Sequence, residues 1–82
     1  MNAKEAVVAA KAFYEDTFSE RPTLEEIWFD ESDGAWCVTL GRRRMVTAGH
    51  PVLMRTKEVT EYKVVRLRDK DGQAISIRNR EG

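Results

Sequence analysis

The single histidine, His50, and the single cysteine, Cys37, are the only residues in this chain from which a base and a thiol nucleophile could be paired. A histidine beside a thiol takes its proton and leaves a reactive thiolate. Cys37, however, sits in Trp36-Cys37-Val38, the setting of a small buried hydrophobe. His50 sits in Gly49-His50-Pro51, a turn in which no Ser, Cys or carboxylate stands at a motif spacing. The expectation is a non-enzymatic chain with no catalytic residue. Acids gather in Asp30-Glu31-Ser32-Asp33-Gly34, which is shorter than the calcium loop of an EF-hand and lacks its terminal glutamate. It reads as a solvated turn. With no paired Cys/His cluster either, neither a metal nor a cofactor is expected.

The arginines are the more suggestive set. Arg42-Arg43-Arg44 is followed by Arg55, Lys57, Lys63, Arg66, Arg68, Arg78 and Arg80. On strands, Arg66 and Arg68 would share a face, as would Arg78 and Arg80, and a basic sheet surface can hold phosphates. Nucleic acid is therefore the alternative partner. Two features weigh against it: no aromatic set is interleaved for base stacking, and the net charge is zero. The charge is also divided along the chain. Residues 1–34 carry nine acids and three bases, residues 35–82 five acids and eleven bases. Such halves attract each other across strands or across a helix–sheet contact, or they steer a partner or a second copy. Trp28, placed among acids, is the candidate exposed anchor, and Trp36 the candidate core residue. The two could also face each other across a hairpin.

These groups need a scaffold, and the chain is short. At 82 residues, 41% hydrophobic and 34% charged, it suits one small globular domain covering 1–82, with stability drawn from a single core and helped by self-association, so a homodimer is expected. No apolar run approaches the ~20 residues that span a bilayer, so no membrane partner is expected. Lys4 and Glu5 precede only a short apolar patch, unlike a secretory signal, and a cytoplasmic location is expected.

Asn2 with Glu5 three residues on is a helix start, and residues 3–18 draw one apolar stripe through Ala3, Val7, Ala10, Tyr14 and Phe18, widened by Ala6 and Phe13. Pro22 ends it. Residues 24–30 read as a strand with Ile27 and Phe29 on one face and Leu24, Glu26 and Trp28 on the other. Asp33-Gly34 turns the chain into a second strand from Ala35 to about Arg43, the organising element, apolar or small on both faces. Residues 61–68, the turn Asp69-Lys70-Asp71-Gly72 and residues 73–78 form another hairpin, with Ile75 and Ile77 on one face. Between the hairpins, Gly41, Gly49 and Pro51 are breakers, yet Met45-Val46 and Val52-Leu53-Met54 are too apolar for an idle loop. Either strand two runs to Val46 and strand three starts near Val52, with Thr47-Ala48-Gly49-His50-Pro51 as the tip, or the segment is a loop that docks elsewhere. The fold class expected is α+β, a helix packed on an antiparallel meander of three to four strands.

The succession of an N-terminal helix, Trp36-Cys37-Val38-Thr39-Leu40, Tyr62-Lys63-Val64-Val65 and Asp71-Gly72-Gln73 before Ile75-Ser76-Ile77-Arg78 resembles a group of short bacterial proteins. Their architecture is similar to PepSY and cystatin-like domains, in which an antiparallel sheet wraps a helix. The resemblance implies a fold and carries over no functional residues, and the inhibitory hairpin motif of cystatins is not present. The functional expectation is a protein-binding or regulatory module, in one version immunity- or inhibitor-like, acting through an exposed sheet face or edge. The surface expected to act comprises Trp28, Arg42, Arg43, Arg44, His50 and Arg55.

Overall fold

The computed structural model describes residues 1–49 and 55–80. Helix α1 spans Ala3–Phe18 and opens on a complete capping box: the Asn2 side chain accepts the Glu5 N–H at 2.8 Å, and Glu5 accepts the Asn2 N–H at 2.9 Å. An asparagine thus fills the role usually taken by Ser or Thr, because its side-chain oxygen has the same reach. The helix ends at Ser19, which adopts the left-handed conformation (φ 56°) while its N–H bonds the Glu15 carbonyl. Ala6, Ala10 and Tyr14 form its buried line. Small residues at the first two let the helix approach a sheet closely, and Tyr14 fills the wider end against Phe18, with ring centroids 4.8 Å apart.

Four strands follow, β1 (Thr23–Asp30), β2 (Ala35–Ala48), β3 (Arg55–Arg68) and β4 (Ala74–Asn79), antiparallel in the order β1-β2-β3-β4. The molecule is therefore α+β, with one helix on a four-stranded antiparallel meander. The register puts Ile27, Val38, Val65 and Ile77 in one row across the sheet. Together with Leu40, Leu67 and the buried line of α1, these side chains form the core. Phe29 and Trp36 pair on the same face, 5.0 Å between ring centroids, and the Trp36 indole N–H donates to Asp69 at 2.9 Å. A half-buried indole donor is thus satisfied where the ring meets the second turn.

Three expectations change. Glu25 is a bulge, so Leu24 pairs with Leu40 and lies on the helix side rather than beside Trp28. A one-residue slip inverts a strand's faces, and here it acts only on the first two residues of β1. Gly41 does not break β2, which runs on to Ala48, while β3 starts at Arg55, so Thr47 and Ala48 are paired strand residues and not the tip. In β4, a second irregularity leaves Ile75 without a register partner and 49% exposed, while Ile77 packs on the core. Residues 50–54, including His50 and Val52-Leu53-Met54, lie outside the described residues.

Beyond Gly41 and Tyr62 the β2–β3 hairpin continues alone, because β1 begins at Thr23 opposite Gly41 and β4 ends at Asn79 opposite Lys63. Residues 42–48 and 55–61 thus form a two-stranded arm leaving the four-stranded body. The molecule measures 54 × 24 × 17 Å.

Candidate protein-interaction surface

The face of the sheet opposite α1 is built around a lane of small residues. Ala35, Cys37, Thr39 and Gly41 alternate along β2 on this side, and all are buried although no helix covers them. Long side chains from the flanking strands cover them instead. Arg66 stands directly opposite Cys37; its Nη1 lies 3.1 Å from the Cys37 Sγ, and its Nη2 reaches Asp30 at 3.3 Å and Asp33 at 2.7 Å. Arg80, just past β4, stacks on Tyr62 (4.4 Å to the ring centroid) and reaches Glu26 of β1 at 3.6 Å. Each guanidinium therefore crosses β2 to an acid of the opposite edge. Only small side chains beneath leave room for such straps.

This arrangement sets the local electrostatics. Burial pushes the Cys37 thiol above its ordinary value, with the Arg66 charge opposing, a shift that favours the neutral thiol over the thiolate. The Ser32 hydroxyl, donating to Asp30 at 2.6 Å, is the main reason that carboxyl is held below the usual range, and Arg66 adds to it. The Thr39 hydroxyl is buried with no hydrogen-bond partner.

Where the body meets the arm, an open cleft of about 570 Å³ is lined by Arg21, Thr23, Glu25, Gly41, Arg43, Thr60 and Tyr62 among others. Gly41 creates it: a Cβ there would come within 2.9 Å of the Glu25 Oε1 and 3.2 Å of the Tyr62 ring. The bulge carries the Glu25 side chain over the glycine, so bulge and glycine belong together.

The arginine run divides by strand parity. Arg42 and Arg44 lie on the helix side, where Glu20 from the end of α1 takes Arg42 at 2.6 Å and approaches Arg44 at 3.8 Å; Glu61 takes Arg44 at 3.2 Å. Arg43 points to the other face and pairs with Glu58 at 3.3 Å. Arg68 pairs with Asp71 at 3.1 Å. The basic sheet surface that the sequence allowed is thus interrupted by acids, and Arg42, Arg44, Arg66 and Arg80 draw the basic half of the sequence onto acids of the first half. Arg55 stands exposed at the start of β3. Trp28 and Trp36 do not meet: Trp28 pairs with Cys37 on the open face and is 41% exposed.

Sequence reasoning marked Met45-Val46 as too apolar for an idle loop, and Met45 is 65% exposed on the arm; it assigned no site role to the cleft residues Glu25 and Tyr62. Nothing local marks Glu25 and Tyr62 as a pair, since they become neighbours through pairing across strands. Among the described residues no group of three or more His, Cys, Asp or Glu is placed to hold a metal ion, and no helix is long and apolar enough to cross a membrane. A scan against family models, a search of the curated proteins and a search of the solved structures each return no match.

Proposed function

We propose that this chain is a protein-binding module, without catalytic activity, whose contact surface joins the β2–β3 arm to the outer strand β1. The observation that carries this reading is where apolar surface is left uncovered. Of the eight large apolar side chains exposed among the described residues, Leu24, Trp28 and Phe29 lie on β1 and Met45 and Val46 on the arm. Trp28 and Met45 lie on the open face and Leu24, Phe29 and Val46 on the helix side, and exposed apolar groups with an aromatic anchor among charged residues are the material of a protein interface. An immunity- or inhibitor-like role against a bacterial protein is one biological form it takes. The competing nucleic-acid reading is disfavoured by the acids that meet Arg42, Arg43 and Arg44.

The test is capture on immobilised protein, at low and high salt and with nuclease, comparing wild type with a Trp28→Ser/Met45→Lys variant. The expected result is a discrete protein, this chain included, retained through high salt and nuclease by the wild type and lost by the variant. Retention of nucleic acid alone, released by salt, overturns the reading.

A further inference from the structure

We propose that the open edge of β2 along the arm takes the carboxyl-terminal segment of another protein, added as an extended antiparallel strand whose terminal carboxylate ends in the arginine-lined cleft. This rests on the reading of the arm as part of a contact surface and adds the chemistry of what it binds.

The backbone fixes which groups are open. The Tyr62 carbonyl accepts the Arg80 N–H at 3.0 Å, so the peptide groups of Tyr62 face the β4 side. Its cross-strand partner Gly41 faces the opposite way, where the Gly41 carbonyl accepts the Thr23 hydroxyl at 3.2 Å. Pairing of β2 with β3 continues to Ala48 and Arg55 without a register shift. By alternation, Arg43, Met45 and Thr47 therefore turn their N–H and C=O groups to the same side as Gly41. On that side β1 supplies no partner, since its pairing with β2 begins at Thr23 opposite Gly41. Residues 42–48 thus present a backbone edge to which a third strand can add, and a two-stranded ribbon, marginal alone in water, gains stability from one.

The other edges are protected and this one is not. β1 has a bulge at Glu25 and the acids Glu26 and Asp30. β4 is six residues long with an irregularity at Ile75, and the arm portion of β3 carries Lys57, Glu58 and Glu61. Bulges, short length and charge are what keep sheet edges from pairing. Along β2, Met45-Val46-Thr47-Ala48 has no charge, no proline and no bulge, and Met45 and Val46 are 65% and 38% exposed.

The cleft sets the direction of the added strand and the chemistry of its end. Thr23 closes the lane at the body, so the last residue of an added strand lies level with Arg42. The cleft opens at that corner, lined by Arg21, Arg42 and Arg43 against the single acid Glu25. Antiparallel to β2, the strand brings a carboxylate there. Parallel to it, the strand would bring an ammonium group, which the arginines repel. Arg42 is already held by Glu20 at 2.6 Å. Arg21 and Arg43 have side chains 95% and 82% exposed, each with one surface ion pair among the described residues, to Glu15 and Glu58. Such pairs hold weakly, and a guanidinium takes a carboxylate on two N–H groups at once. Counting back from Arg42, the fourth and fifth residues from the end come beside Met45 and Val46, where apolar side chains are expected.

The experiment selects random heptapeptides, displayed with free carboxyl termini, on the purified chain. Enriched sequences are then titrated by fluorescence polarisation as free acids and as carboxamides, against wild type, Met45→Pro and Arg21→Ala/Arg43→Ala. Far-UV circular dichroism verifies the fold of each; the proline removes an N–H that faces the lane, a loss that edge strands tolerate. Free acids are expected to bind the wild type at least tenfold more tightly than the amides. Met45→Pro is expected to weaken both at least tenfold, and the double arginine variant to bind the acid no better than the amide. No enrichment, equal affinity for acid and amide on the wild type, or an acid preference untouched by the arginine variant overturns the proposal. A wild type that dimerises in sedimentation, with the dimer lost in Met45→Pro, gives the lane to a second copy and overturns it too. In each of those cases, a protein still captured by the wild type and lost by Trp28→Ser/Met45→Lys leaves the binding-module reading standing.

Discussion

Thr39 shows how the open face is constructed and what it costs. Its hydroxyl is fully buried beside the Arg80–Glu26 strap yet bonds nothing. An unsatisfied buried hydroxyl is destabilising by about 1–3 kcal/mol, and valine has nearly its shape. Thr39→Val is therefore expected to stabilise the fold by about 1 kcal/mol, read as a higher urea midpoint at unchanged slope. A lower midpoint would mean that the hydroxyl has a partner after all. That Cys37 is buried was legible from its place between Trp36 and Val38 in β2. That arginines cover the open face was not, since Arg66 and Arg80 are distant in sequence and look like ordinary exposed strand cations.

At the scale of elements, the helix is where local signals and structure agree most closely. Asn2, Glu5 and the apolar stripe predict its start and its buried side, and Pro22 its end. Its one strained point is Ser19, non-glycine at φ 56°. The left-handed region costs a β-carbon about 1 kcal/mol, and glycine avoids this. Ser19→Gly is expected to raise stability by about that amount in thermal or urea unfolding, with unchanged helix content. The strands were legible as strands, but their ends were not. Bulges at Glu25 and near Ile75 arise from pairing between strands, so no single segment announces them. The same holds for Gly41, which reads as a breaker in isolation and serves as a space-maker beneath Glu25 once β1 is in place.

At the scale of the whole molecule, charge governs the pH range of stability. Asp30 and Asp71 are held below the usual aspartate range, the first mainly by the Ser32 hydroxyl and the second mainly by the Gln73 N–H. A depressed carboxyl contributes stability that is present above its unfolded value, about pH 4, and lost as pH falls through the folded value. Cys37 and Tyr14 are raised, chiefly by burial. Their contribution is present below the unfolded values, about pH 8.5 for the thiol and 10 for the phenol, and lost as pH rises through the folded ones. The expected profile is a plateau between about pH 5 and 8 with an acid and an alkaline limb. Urea midpoints across pH test it: Asp30→Asn should flatten the acid limb and Cys37→Ala the alkaline one. An unchanged acid limb in Asp30→Asn would show that Asp30 keeps an ordinary value.

By itself the sequence determined the class of the fold, the helix with its N-terminal cap and both body hairpins. All of these follow from periodicities and turn chemistry that act over a few residues. Only the tertiary structure decided that the β2–β3 hairpin outruns its neighbours, that the arginine run divides between two faces and meets acids from both halves of the chain, and that β1 and the arm hold most of the uncovered apolar surface. Those features depend on register and on the relative lengths of strands far apart in sequence, which the pairing of the folded sheet sets and no local pattern encodes.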